Sequence, residues 1–225
     1  MMIIRLKRLL IFLYFLKFMS SNQSLKEKLL EFSKEEPNRV RHRLELGEEI
    51  SANLHAGCFV YFIDDIEIYK RIGNSDDPNE FYLAVGQALK PISMENLPRV
   101  FPSNERINGR IKAPFSRTVN ERLGDCLEKS ILVQLGSQVY TDSFLITGLF
   151  LHDEIRRFYP HAFNIVYHDG ISYLVDAQNP VIFHVNETRT EVSYAVPVSG
   201  FDGKKFEIEE RWRLGRSYFL DFPIE

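Results

Sequence analysis

The stretch HAFNIVYHDGISYLVDAQNP, His161–Pro180, decides how the second half of the chain is read. At its centre Asp169-Gly170 is a two-residue hairpin signal, because a type I′ turn needs positive φ at both central positions. With those residues as the turn, His168 pairs with Ile171 and every cross-strand pair keeps the same index total. Phe163 then faces Asp176, and His161 faces Gln178. Residues two apart on a strand share a face, so His161 and Asp176 are diagonal neighbours on one face. Diagonal neighbours lie about 7–8 Å apart at the backbone, within reach of two side chains leaning together. A loop one residue longer would separate them onto opposite faces. The spacing therefore permits a His-Asp hydrogen bond that fixes the imidazole tautomer and leaves its other nitrogen free to take a proton. The other face, Ala162, Asn164, Val166, Tyr173 and Val175, is largely apolar and is expected against the core, where Asn164 must find hydrogen-bond partners.

Upstream, LGDCLEKS supplies something for that histidine to act on. Asp125 occupies an N-cap position with Glu128 three residues on, an Asp version of the capping box, so Cys126 becomes the first residue of a helix. Unpaired N–H groups and the positive end of the helix dipole favour a thiolate there. Asp125 and Glu128 act against it, so a basic partner is needed, and an imidazole suits. Gly124 is expected to allow a tight turn that leaves the sulfur approachable. Leu127, Ile131 and Leu135 continue the helix face up to Gly136.

Working outward, Ser24–Lys34 reads as a helix ending before Pro37, and His42–Asn53 as a second, more charged one. Cys58–Tyr69 reads as a strand, with Cys58 in the core. Asn74–Pro78 is a turn, Phe81–Leu89 a short helix, and Pro91–Pro114 a long irregular connection. After the cysteine helix come strands at Phe144–Leu151, Ala162–Tyr167, Ile171–Asp176, Val181–Val185, Glu191–Val196, Lys205–Ile208 and Tyr218–Phe222. Helices first and antiparallel strands afterwards define an α+β class.

The 225 residues are 44% apolar and 26% charged, with a formal net charge of −3. That charge gives no basic footprint, so no nucleic-acid partner is expected. Two cysteines without CxxC spacing exclude a disulfide scaffold and a structural zinc site, and nothing in the sequence asks for a metal or cofactor. At the N-terminus Arg5, Lys7 and Arg8 precede the apolar run Leu9–Leu16, the outline of a secretory signal without a clear cleavage site. The run is too short to span a bilayer, which needs about 20 apolar residues. Residues 1–23 thus read as a signal or anchor, placing the protein outside the cell or at a membrane, or as sequence preceding a functional start at Met19, placing it in the cytoplasm. Membrane contact is expected only if that segment is retained.

Three blocks in order, GDCLEKSILVQLG, HAFNIVYHDG and SYLVDAQNP, resemble the transglutaminase-like superfamily of cysteine enzymes. The likeness covers Asn120–Pro180, with 35 residues from Cys126 to His161 and 15 from His161 to Asp176, intervals similar to those of compact bacterial members. Phe163 stands where the family usually has Trp. The resemblance implies a papain-like or transglutaminase-like core, the nucleophile-bearing helix packed on an antiparallel sheet. It implies Cys126 as nucleophile, His161 as general base and acid, and Asp176 as orienting carboxylate, with Asn179 disfavoured because strand parity turns it to the other face. Asn120, six residues before the cysteine, is the implied side-chain donor of an oxyanion hole. The implied activity is acyl transfer from a protein or peptide amide through a thioester, hydrolytic if water resolves it and crosslinking if a lysine does. A catalytically silent binding module and a Cys58–Cys126 disulfide are the other readings. By this division residues 24–115 form an N-terminal helical and mixed region, and 116–225 the catalytic core.

Overall fold

The computed structural model describes residues 24–51, 59–73, 77–102, 106–107, 110–186, 189–210, 212 and 215–220. The signal-or-anchor segment, Cys58 and the turn residues 74–76 lie outside them. Helix α1, Leu25–Glu35, opens with a full capping box between Ser24 and Glu27, as the Ser-x-x-Glu spacing predicts. Strands β1, Val40–Arg41, and β2, Glu49–Ser51, follow. The helix expected over His42–Asn53 does not form in its described part. Gly47 takes φ +81, and β2 pairs with β3, Phe59–Phe62.

A 3-10 turn, Ile68–Arg71, leads to α2, Pro78–Ala88, whose Asp77 caps the Asn79 N–H ahead of a helix-starting proline. The stretch read as irregular contains α3, Leu97–Val100, β4, Arg106–Ile107, and β5, Arg110–Pro114. Strand β5 pairs in parallel with β3, a long-range contact that no local periodicity announces, giving a small sheet of order β2-β3-β5-β4. Helix α4, Phe115–Glu121, and helix α5, Cys126–Ser137, complete the helical part.

The remaining strands are β6, Ser143–His152, β7, Arg157–His168, β8, Ile171–Val175, β9, Val181–Asn186, β10, Arg189–Ser193, β11, Ala195–Phe201, β12, Lys205–Ile208, and β13, Arg216–Phe219. Here the expected papain-like or transglutaminase-like core, an antiparallel sheet under the nucleophile helix, is corrected. Strand β6 pairs with β7 on one edge and β13 on the other, so β6-β13-β12-β11-β8-β7 closes into a six-stranded antiparallel barrel. Strands predominate, and the barrel has an interior of its own, lined by Phe144, Phe163, Ile165, Leu174, Val196, Phe206 and Tyr218. Closure removes the free edges an open sheet would present. Gly148 makes it possible: a Cβ there would lie 2.2 Å from the Phe219 carbonyl oxygen, so only glycine lets β13 come this close.

The β7-β8 hairpin has the register expected of it, Asn164 opposite Val175 and His168 opposite Ile171. Asp169 and Gly170 both have positive φ, 49 and 78. The expected division of faces is also present. Phe163 and Ile165 point into the barrel, while Ala162, Val166 and Val175 join a second core outside it. That second core surrounds α5, every residue of which is buried. It includes Ile50, Tyr61 and Phe115 from before residue 116 as well as Leu145 and Ala195 after it, so one continuous core spans that position. No described helix is long and apolar enough to cross a membrane.

Candidate active site

Cys126 is the first residue of α5 and sits behind the reciprocal Asp125–Glu128 capping box, with the Asp125 N–H donating to Glu128 Oε2 at 2.8 Å. Gly124 plays a different part from the one expected. Its φ is not positive; instead a Cβ would lie 2.6 Å from Leu89 and 2.7 Å from the Glu128 Cβ. It is glycine because α5 and the end of α2 close on it. The loop is tied to α2 by Lys90 N–H to the Arg122 carbonyl, 2.9 Å, and Gly124 N–H to the Lys90 carbonyl, 2.8 Å.

From there α5 runs alongside β7. Asn164, fully buried, donates through Nδ2 to the Ser130 carbonyl at 3.1 Å and to Gln134 Oε1 at 3.4 Å, while Gln134 Nε2 donates to the Ser143 carbonyl at 3.0 Å. Cys126, Ser130 and Gln134 are four residues apart and make one stripe on the helix. Asn164 thus fixes the helix on the strand one turn beyond Cys126, three residues along β7 from His161.

The expected trio comes together. His161 Nε2 and Asp176 Oδ2 are 2.8 Å apart, and the Cys126 side chain acts electrostatically on the same imidazole. Since Asp176 takes Nε2, Nδ1 is the nitrogen left for the sulfur. Exposure is 7% for Cys126, 4% for His161 and 1% for Asp176, so these interactions work away from bulk water. The Phe150 ring stands edge-on to His161, centroids 5.0 Å apart, and is itself stacked on Tyr159.

Asp176 has more partners than the hairpin alone predicts. Oδ2 also accepts from the Tyr218 hydroxyl at 2.5 Å and from Asn179 Nδ2 at 3.2 Å, and Oδ1 accepts the Gln178 and Asn179 N–H groups at 3.1 and 3.0 Å. Arg216 donates to the Asn179 and Pro180 carbonyls, pinning the turn that begins at Asp176. Burial pushes the Asp176 carboxyl up, but His161, Tyr218 and Arg216 outweigh it and bring it to about 2 from an ordinary 3.8. Burial likewise pushes the His161 imidazole down, but the charge and hydrogen bond of Asp176, with the Cys126 side chain, raise it from 6.5 to about 10. The result is a buried imidazolium-carboxylate pair.

Two expectations about neighbours change. Asn179 does reach the site, its Nδ2 lying 3.4 Å from His161 Nε2. Strand parity fails there because β8 ends at Val175 and the Asp176 carboxylate curls the next three residues into a turn. Asn120, the implied oxyanion donor, is exposed on α4, where its Oδ1 accepts from Arg71 at 2.7 Å in a cleft shared with Val119 and Arg122. Among the described residues nothing joins it to Cys126, His161 or Asp176. Tyr218 and Arg216 escape the sequence reading because they enter through barrel closure, forty or more positions away from Asp176. A strand carrying Arg-x-Tyr gives no signal of its register.

Cys126 is a free cysteine, and Cys58, the other half of the disulfide reading, lies outside the described residues. Among the described residues no cluster of three or more His, Cys, Asp or Glu side chains is arranged to hold a metal ion. No protein-family model, no curated protein and no solved structure matches the chain.

Proposed function

We propose that the chain is a cysteine-dependent acyl-transfer enzyme acting on a protein or peptide amide, with Cys126 as nucleophile, His161 as proton carrier and Asp176 as orienting carboxylate. The observation that carries this reading is the buried His161–Asp176 hydrogen bond, with the imidazole under the electrostatic influence of a cysteine at the start of a helix. The three sequence blocks that resemble transglutaminase-like enzymes support the same chemistry. In the first step the Cys126 sulfur, its proton already held by His161 as the imidazolium, bonds to the amide carbon, and electrons move onto the carbonyl oxygen. The Cys126 N–H, which has no acceptor within α5, is placed to receive that charge. The C–N bond then breaks, the leaving amine or ammonia takes a proton from the His161 imidazolium, and a thioester is left on Cys126. Water attacks the thioester, His161 takes its proton, and the acid is released as the sulfur leaves without a proton, which restores the starting pair of deprotonated sulfur and imidazolium. Water is the default acceptor, which makes the outcome peptidase or glutamine deamidase activity; lysine in its place would give a crosslink.

A catalytically silent peptide-binding module is the second reading, and the 7% exposure of Cys126 favours it. Trapping separates the two. A slowly resolving His161→Asn protein incubated with lysate should retain acyl groups on Cys126, identifiable by peptide mass spectrometry. No acyl group on Cys126, together with glutamine peptides left untouched by the wild type, would favour the silent module.

A further inference from the structure

Lys129 is a buried lysine that the acyl-transfer scheme does not use. It is 5% exposed and lies one turn along α5 from Cys126, on the same side of the helix. Helical side chains lean toward the N-terminus, which brings its ammonium back over the turn that carries the sulfur. Its Nζ donates to the Gly86 carbonyl of α2 at 2.9 Å. Among the described residues no carboxylate forms an ion pair with it, although Asp125, Asp176 and Glu128 all act on it electrostatically, as does Cys126. Each carboxylate is held elsewhere: Asp176 by five donors, Glu128 by the Asp125 N–H, and Asp125 in the capping box. Burial lowers its pKa against the opposing pull of these groups. Taking a cation out of water costs several kcal/mol unless something nearby compensates. A neutral carbonyl compensates only in part.

The capping box that starts α5 also places two carboxylates, Asp125 and Glu128, beside the nucleophile. Both oppose negative charge on the sulfur or on an oxyanion beside it. We infer that Lys129 is a positioning residue that acts through Cys126, its buried ammonium offsetting those carboxylates so that negative charge is tolerated at the start of α5. This inference rests on the acyl-transfer reading of Cys126. It assigns His161 and Lys129 different tasks: the imidazole moves the proton, and the ammonium supplies a fixed charge.

The test compares alkylation of Cys126 by anionic iodoacetate and neutral iodoacetamide in the full chain. Lys129→Gln removes the charge and keeps a donor for the Gly86 carbonyl; Lys129→Met removes both; Lys129→Arg keeps the charge. The iodoacetate-to-iodoacetamide rate ratio at Cys126 should fall about fivefold in Lys129→Gln and Lys129→Met and stay near wild type in Lys129→Arg. A ratio unchanged in Lys129→Gln overturns the inference. A lower melting temperature with an unchanged ratio in Lys129→Met also overturns it and assigns the side chain to packing between α2 and α5. Failure of the acyl-transfer reading would look different. Wild-type Cys126 would then react no faster than Cys126 in His161→Ala, while the ratio between the reagents would still report the charge of Lys129.

Discussion

Asp176 shows how a single carboxylate can organise a site. Five hydrogen bonds keep it ionised in a place where burial opposes ionisation, and its charge in turn keeps His161 protonated. The consequence for stability has a definite sign. The His161 pKa is raised on folding, so its contribution is full below 6.5 and is lost as pH rises through about 10. The Asp176 pKa is lowered, so its contribution is full above 3.8 and is lost as pH falls through about 2. The difference in unfolding free energy between wild type and a His161→Ala, Asp176→Ala double variant should therefore be flat between about pH 4 and 6.5 and change outside that range, as urea unfolding at a series of pH values would show. A difference that grows from pH 6.5 to 9 would contradict the pairing. Tyr218→Phe removes one donor to Asp176 and should slow acylation of Cys126 about tenfold while leaving the fold intact, a loss consistent with one hydrogen bond to a charged group. Equal rates would reduce Tyr218 to packing. At this scale the helix start at Cys126 and the pairing of His161 with Asp176 were legible because short-range rules govern them: a capping box and a two-residue turn. Asn179 was misjudged because a strand rule was carried past the end of a strand.

The β7-β8 hairpin was readable nearly residue by residue, since Asp-Gly selects one turn type and the turn sets the register. Gly170→Ala forces a side chain into φ +78 and should destabilise by about 1–2 kcal/mol. Gly124→Ala meets a packing clash instead, with Leu89 and Glu128 closer than 3 Å. It should cost about 1–3 kcal/mol and also lower Cys126 reactivity, because the clash sits two residues before the nucleophile. Chemical denaturation and thiol alkylation measured on both variants separate these effects: a Gly124→Ala protein with wild-type alkylation would mean the loop does not position the sulfur. Strands β4 and β5 were not legible as elements. Their stretch has four prolines and no clear alternation, and β5 exists because β3 lies beside it in parallel.

Across the whole molecule, local signals predict strands and hairpins but not their closure. The β6-β13 seam joins residues more than sixty positions apart, and with neither turn nor periodicity to announce it, the sheet read as open. Closure matters for the site because it delivers Tyr218 and Arg216 to the turn after β8. Gly148→Ala places a Cβ against the Phe219 backbone. It should therefore destabilise more than Gly170→Ala does and, unlike that variant, also slow acylation of Cys126. If Gly148→Ala folds as stably as wild type, the seam is looser than the close approach indicates. Formation of an acyl-enzyme on Cys126 with His161 as its proton carrier is tested by mixing the protein with p-nitrophenyl acetate, quenching in acid and mapping the acetylated peptide. A rapid burst with acetyl on Cys126 is expected in the wild type, and a burst slowed at least about a hundredfold in His161→Ala. Equal acetylation in the two proteins, or none on Cys126, would contradict it.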